Sequence, residues 1–183
     1  MDYGLFQRIN DFAGQSQQLD AVMVDISKYG PLLLVLPLLY LWFFRGAKGK
    51  KAALLALAGM GLALILAQII TMFFFRDRPF VMHEVNLLID KSPDSSFPSD
   101  HAIFSFSIAA MVWLQDKKAG WVSLALALLI GISRVFVGTH YPLDILGGAF
   151  LGIGSALVVW NLREKLDPVT TFIISIARKL KLA

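Results

Sequence analysis

The sequence predicts an all-α, polytopic transmembrane helix bundle with about five membrane spans and an N-terminal interfacial helix. Three observations lead there. The 183 residues are 57% hydrophobic and 16% charged, so a soluble fold would have to hide helices that are apolar all round. Residues 52–75 carry no charge, and a helix of that length, at about 1.5 Å per residue, crosses a hydrocarbon core of about 30 Å. Basic residues gather between alternate apolar stretches, at Arg45, Lys48, Lys50 and Lys51, at Lys117 and Lys118, and at Arg163 and Lys165. The positive-inside rule assigns those ends to the cytoplasm.

In chain order, residues 1–20 place Leu5, Phe6, Ile9 and Phe12 at helical spacing among polar neighbours. That pattern fits a helix lying in the external interface or one packed onto the bundle. The segment lacks a basic start followed by a continuous apolar core, so no signal peptide is expected. Spans follow at 22–44, 52–75, 101–115, 119–137 and 143–160, within a transmembrane core of 22–160. The third is the shortest, about 22 Å if helical, so its outer end sits below the headgroups or the membrane thins there. Gly148 and Gly152 permit close helix approach, within the bundle or in a homo-oligomer. Residues 161–183 form a cytoplasmic tail whose Phe172, Ile173, Ile174 and Ile176 mix with Arg178, Lys179 and Lys181. Its cations can meet anionic membrane lipids, or the tail can pack on the bundle. The whole chain, 1–183, reads as one domain. There is no cysteine, hence no disulfide framework or thiolate chemistry. The net charge of +4 follows from topology and implies no nucleic-acid partner.

With this topology three polar clusters fall on the external side: Arg76-Asp77-Arg78-Pro79, Ser96-Phe97-Pro98-Ser99-Asp100-His101, and Ser133-Arg134 with Gly138-Thr139-His140-Tyr141-Pro142 and Asp144. Ionisable groups at a membrane edge are expensive unless paired or functional. Pro142 suits a first helical turn, so a helix starting near Tyr141 brings Asp144 within about one turn of His140. A carboxylate there can hold one imidazole nitrogen and leave the other as nucleophile or base, or the pair can simply cap a helix. Arg134 offers a fork of donors suited to phosphate. Ser99, Asp100 and His101 form the opening turn of a span, where free N–H groups favour an anion. His101 can protonate a leaving oxygen or merely mark the interface. Arg78, with Arg76 beside it, completes the cations. His101, His140, Asp100 and Asp144 could instead ligate a metal, but the crowd of arginines opposes a cation there.

These residues resemble the type 2 phosphatidic acid phosphatase superfamily, whose pattern is Lys-x6-Arg-Pro, Pro-Ser-Gly-His and Ser-Arg-x5-His-x3-Asp. Ser133, Arg134, His140 and Asp144 match the third motif completely. Pro98, Ser99 and His101 match the second, with Asp100 at the usual glycine; Arg78 and Pro79 match the first, with Thr71 at the usual lysine. The Phe-Pro-Ser-Asp-His form and the Leu19-Asp20-Ala21-Val22-Met23 opening are similar to the bacterial BcrC-type undecaprenyl-diphosphate phosphatases. The resemblance implies a phosphatase that uses no metal or other cofactor. It implies that His140 attacks phosphorus, Asp144 orients it, His101 protonates the leaving group, and Arg78, Arg134 and the Ser99 region hold the phosphoryl oxygens. Arg76 is expected to replace the lysine missing at Thr71, while Asp100 either tunes His101 or pairs with Arg76 or Arg78. The implied substrate is a polyprenyl diphosphate lipid, cleaved on the outer face of a bacterial cytoplasmic membrane. A phosphatidylglycerophosphate or phosphatidate phosphatase would use the same residues, and a non-enzymatic lipid or anion carrier would need only the cations.

Overall fold

In the computed structural model, residues 1–182 are described and form nine helices. They are α1 (Asp2–Asn10), α2 (Gln17–Leu33), α3 (Val35–Phe44), α4 (Gly46–Phe73), α5 (Pro79–Met82), α6 (Asp100–Gln115), α7 (Lys117–Phe136), α8 (Pro142–Asn161) and α9 (Arg163–Lys179). The expected first span is split. Pro31 and Pro37 remove the N–H groups that would bond Ser27 and Leu33, and the helix breaks between them at Leu34. Together α2 and α3 still make a 28-residue apolar stretch, Gln17–Phe44.

Four stretches are long and apolar enough to cross a membrane among the described residues: Gln17–Phe44, α4, α7 and α8. The third expected span, α6, has 16 residues, about 24 Å, and falls short of that length. It lies inside the bundle instead, walled by α4, α7 and α8, with Ala102, Ile103, Ile108, Met111 and Val112 all fully buried. A helix shielded by its neighbours need not match the bilayer itself. Around it the outward faces are apolar, as at Leu57 and Ile65 on α4, Val122 on α7 and Phe150 on α8.

The basic residues expected between spans one and two lie within α4, whose first turns include Lys48, Lys50 and Lys51. Only Arg45 separates α3 from α4. On its inner face α4 presents Ala52, Ala56, Gly59, Ala63 and Ala67 to the bundle, which lets α6 and α8 come close. Gly148 and Gly152 are consumed the same way: a Cβ at either would lie 2.6 Å from the carbonyl oxygen of Ser99 or Ile103 on α6. The spacing therefore serves packing within the chain and not a second copy.

Both terminal segments pack on the bundle. In α1, Phe6 is buried against Val135 and Tyr141, and the Asn10 amide donates to the carbonyls of Asn86 and Phe136. In α9, Thr170 and Ile174 are buried while Phe172 and Ile176 stay exposed. Lys51 pairs with Asp167, and Trp42 Nε1 donates to the Leu182 carbonyl at 2.8 Å. The tail's last residue, Ala183, lies outside the described residues.

Candidate active site

The three polar clusters converge at one end of the bundle, where the N-termini of α6 and α8 meet. The Ser99 N–H donates to the Asp144 carbonyl at 3.1 Å and joins the two helix starts. Between α7 and α8 the chain must reverse in five residues. Gly138, at φ +85°, supplies the left-handed conformation that the turn requires. Thr139 and His140 then donate their N–H groups back to the Arg134 carbonyl, which draws His140 inward.

His140 is 2% exposed, and its two nitrogens face different partners. Nε2 is 3.1 Å from Arg78 Nη1, and Nδ1 is 2.9 Å from the Ser96 carbonyl oxygen. A guanidinium only donates and a carbonyl only accepts, so Nδ1 carries the proton and Nε2 presents a lone pair. Burial is the largest influence on His140 and pushes its pKa below the ordinary imidazole range, against the raising effect of Asp144. The ring is therefore neutral near pH 7, with its lone pair at Nε2.

Asp144, fully buried, was expected to hold the histidine directly. The structure places its Oδ2 3.6 Å from Nδ1, beyond normal hydrogen-bond reach. The nearer partner of Nδ1 is the Ser96 main chain. Asp144 reaches His140 through the surrounding frame: Oδ2 accepts from the Ser96 hydroxyl and from the Tyr141 N–H at 2.8 Å, the latter capping α8. Oδ1 accepts from Arg76 Nη1 at 2.7 Å.

Arg76 differs most from expectation. Both of its terminal nitrogens engage carboxylates, Nη1 on Asp144 and Nη2 on Asp2 at 2.6 Å, and its guanidinium lies over the Tyr141 ring at 4.1 Å. With both terminal nitrogens on carboxylates, Arg76 is held as a clamp between Asp2 and Asp144. Thr71, at the last turn of α4, turns its hydroxyl back to the Gln68 carbonyl at 2.9 Å.

Arg78 is 4% exposed. Pro79 opens α5 directly after it, which fixes Arg78 in an extended conformation. Its Nε donates to Asp94 at 2.7 Å, Nη1 to the Thr139 carbonyl at 2.9 Å and Nη2 to the Ser95 carbonyl at 3.3 Å. Burial disfavours ionisation of Asp94, but Arg78 and Lys91 outweigh it and hold this carboxyl below its usual range. Arg134, at the end of α7, donates from Nη1 to Ser27 at 2.6 Å, while its Nε is buried without a partner. The Ser99 hydroxyl is likewise buried and unpartnered. These groups are donors left to offer to a phosphoryl oxygen.

His101 and Asp100 sit in the first turn of α6, which begins as the sequence predicts, with Ser99 as N-cap. Asp100 is exposed and forms no ion pair among the described residues, so neither Arg76 nor Arg78 is its partner. With Pro31, Leu64 and Phe104 the two line a cavity of about 260 Å³ between α2, α4 and α6. The polar edge of this cavity thus continues into an apolar wall.

Sequence reasoning missed Asp2, Asp94, Ser27 and the carbonyls of Ser96 and Thr139 as parts of this site. Ser96 and Thr139 lay inside the motifs, but nothing in the spacing says which main-chain atoms meet a ring 44 residues away.

The PAP2 superfamily model matches residues 52–168. The undecaprenyl-diphosphatase BcrC of Bacillus subtilis (strain 168) is 33% identical over 96% of this chain and 91% of its own length. The bacitracin transport permease protein BcrC of Bacillus licheniformis is 39% identical over 88% of this chain and 80% of its own. Among solved structures, LpxE of Aquifex aeolicus superposes with a TM-score of 0.74 at 29% identity, covering 87% of this chain and 94% of that one.

Proposed function

Because this chain belongs to the PAP2 superfamily and is a polytopic membrane lipid phosphatase of the bacterial inner-membrane type, we propose that its substrate is undecaprenyl diphosphate. It is hydrolysed to the monophosphate and inorganic phosphate, a step that recycles a cell-wall lipid carrier. The observation that carries this reading is the unprotonated Nε2 of His140, held 3.1 Å from Arg78. A nucleophile beside a buried guanidinium suits an anionic phosphorus centre. The Bacillus subtilis relative, an undecaprenyl-diphosphatase, supports the polyprenyl choice.

In this reading His140 Nε2 attacks the terminal phosphorus, and the bond to the bridging oxygen breaks. His101 gives its proton to that oxygen, so the lipid monophosphate departs. Arg78, Arg134 and the Ser99 hydroxyl hold the equatorial oxygens, whose charge they stabilise as it develops. Water then attacks the phosphohistidine, giving its proton to His101, and phosphate leaves with both histidines restored. The apolar wall beside His101, formed by Pro31, Leu64 and Phe104, suits a prenyl chain arriving from within the bilayer. A panel of purified lipids in defined detergent tests the substrate. Undecaprenyl diphosphate should show the highest kcat/KM; a preference for phosphatidylglycerophosphate or phosphatidate would replace it, and no turnover of any lipid phosphate would remove the enzyme reading altogether.

The site is assigned to the external face by the cations at the opposite end of the bundle. Single cysteines near Lys50 and Lys117 should resist an impermeant thiol reagent added to intact cells, whereas one near Val85 should be labelled. The reverse pattern would place the site in the cytoplasm.

A further inference from the structure

We propose that Asp2, in the first turn of α1, is a positioning residue for phosphoryl transfer that acts through Arg76 on the carboxylate of Asp144. The inference rests on the phosphatase reading of this site. Asp2 uses both carboxylate oxygens: Oδ2 accepts from Arg76 Nη2 at 2.6 Å, and Oδ1 accepts from the Leu143 N–H at 3.1 Å, in the first turn of α8. It is therefore tied to the helix that carries Asp144 and to the arginine that grips Asp144 at 2.7 Å. Stacking on Tyr141 sets the plane of the Arg76 guanidinium, so its two Nη groups cannot swing independently.

The chain of contacts has an electrostatic consequence. Arg76 with Asp144 alone would be a neutral pair; with Asp2 the trio carries a net negative charge. Shared between two carboxylates, Arg76 neutralises Asp144 less completely. More of the Asp144 charge then remains to stabilise the positive imidazole that forms when Nε2 bonds to phosphorus. Asp2 also keeps Arg76 from turning toward the phosphate, where it would leave Asp144 buried without its cation. Position is assured by the rest of α1: Phe6 is 1% exposed against Tyr141 and Val135, Tyr3 stacks on His83 with centroids 3.7 Å apart, and Asn10 is clamped by Asn86 and Phe136. The N-terminal helix is in this sense an arm that reaches across the site's outer edge and delivers a carboxylate to it.

The test uses the full-length protein in detergent, taken from a monodisperse size-exclusion peak, with the best lipid phosphate from the panel as substrate. Asp2→Asn should lower kcat by roughly 10-fold with KM changed less than about twofold, because the loss is one of alignment and charge at the reacting ring. Asp2→Glu should recover most of that loss. In a cycle with Arg76→Gln, the double variant should be little worse than Arg76→Gln alone, since Asp2 acts on the Asp144 carboxylate through the arginine and its other contact, with the Leu143 N–H, reaches only the main chain of α8. Equal kinetics for Asp2→Asn and wild type, or losses that multiply in the double variant, would overturn the proposal. So would a loss in Asp2→Asn confined to KM. If Asp2→Asn yields no monodisperse protein, Asp2→Glu and Arg76→Gln decide instead: the proposal requires the first to be active and the second to lose kcat. A wild type inactive on every lipid phosphate overturns the phosphatase reading itself, whereas an active wild type matched by Asp2→Asn overturns only the role of Asp2.

Discussion

His140→Ala should abolish hydrolysis and leave no phosphoenzyme after acid quench, a loss in kcat of at least ~10⁴-fold, in line with removing a covalent nucleophile in other enzymes. The expectation follows from a ring whose Nδ1 is held by the Ser96 carbonyl and whose Nε2 lone pair faces Arg78. His101→Ala behaves differently. It should slow cleavage of a poor alkyl or phosphate leaving group by about 10²-fold or more, but barely slow an activated aryl phosphate, which departs without protonation. Rapid-quench measurements on both substrate kinds separate the two histidines. A phosphohistidine persisting in His140→Ala would move the nucleophile elsewhere, and equal losses on both substrates in His101→Ala would remove its role as acid.

The placement of these residues was legible in the sequence, because they sit at the starts and ends of helices that the sequence itself punctuates. Pro142 marks the start of α8, so Asp144 falls in its first turn; Ser99 ends an irregular loop and Asp100 opens α6. Local signals of this kind survive folding, since caps and proline constraints act over one turn. The break at Leu34 has an equally local cause, Pro31 and Pro37, although 22–44 was read as a single span on its mean apolarity.

The parts not legible depend on approach between distant segments. Asp2 meets Arg76 across 74 residues, and Asp94 meets Arg78 from a loop with no motif of its own. Arg76 illustrates the difference. By charge and proximity to the motif it reads as a spare phosphate cation, yet two carboxylates occupy it once α1 folds over the site. Charge type is written in the sequence, but the partner of a charge is a tertiary fact. The short α6 was likewise anticipated from its length, whereas its place within the bundle followed only from the close approach of α8 at Gly148 and Gly152.

Asp144→Asn should retain substrate binding and slow phosphoryl transfer by ~10² to 10⁴-fold, the range set by other carboxylates that orient a catalytic histidine. Its contacts explain why so isosteric a change is severe. The carboxylate accepts from Arg76, the Ser96 hydroxyl and the Tyr141 N–H, and an amide turns one acceptor oxygen into a donor facing one of these donors. Either the frame around Ser96 shifts, and the carbonyl that holds Nδ1 with it, or Arg76 is left with one carboxylate instead of two. Loss of the negative charge also acts on the ring. Asp144 works against burial in setting the His140 pKa, so without it burial pushes that pKa lower still. The acid limb of kcat/KM that belongs to His140 should therefore move to lower pH in Asp144→Asn while the plateau falls. That combination distinguishes lost charge from simple unfolding, which would lower the plateau without moving the limb. A limb that moves upward, or a plateau within about threefold of wild type, would show that Ser96 alone orients His140 and that Asp144 serves only to cap α8.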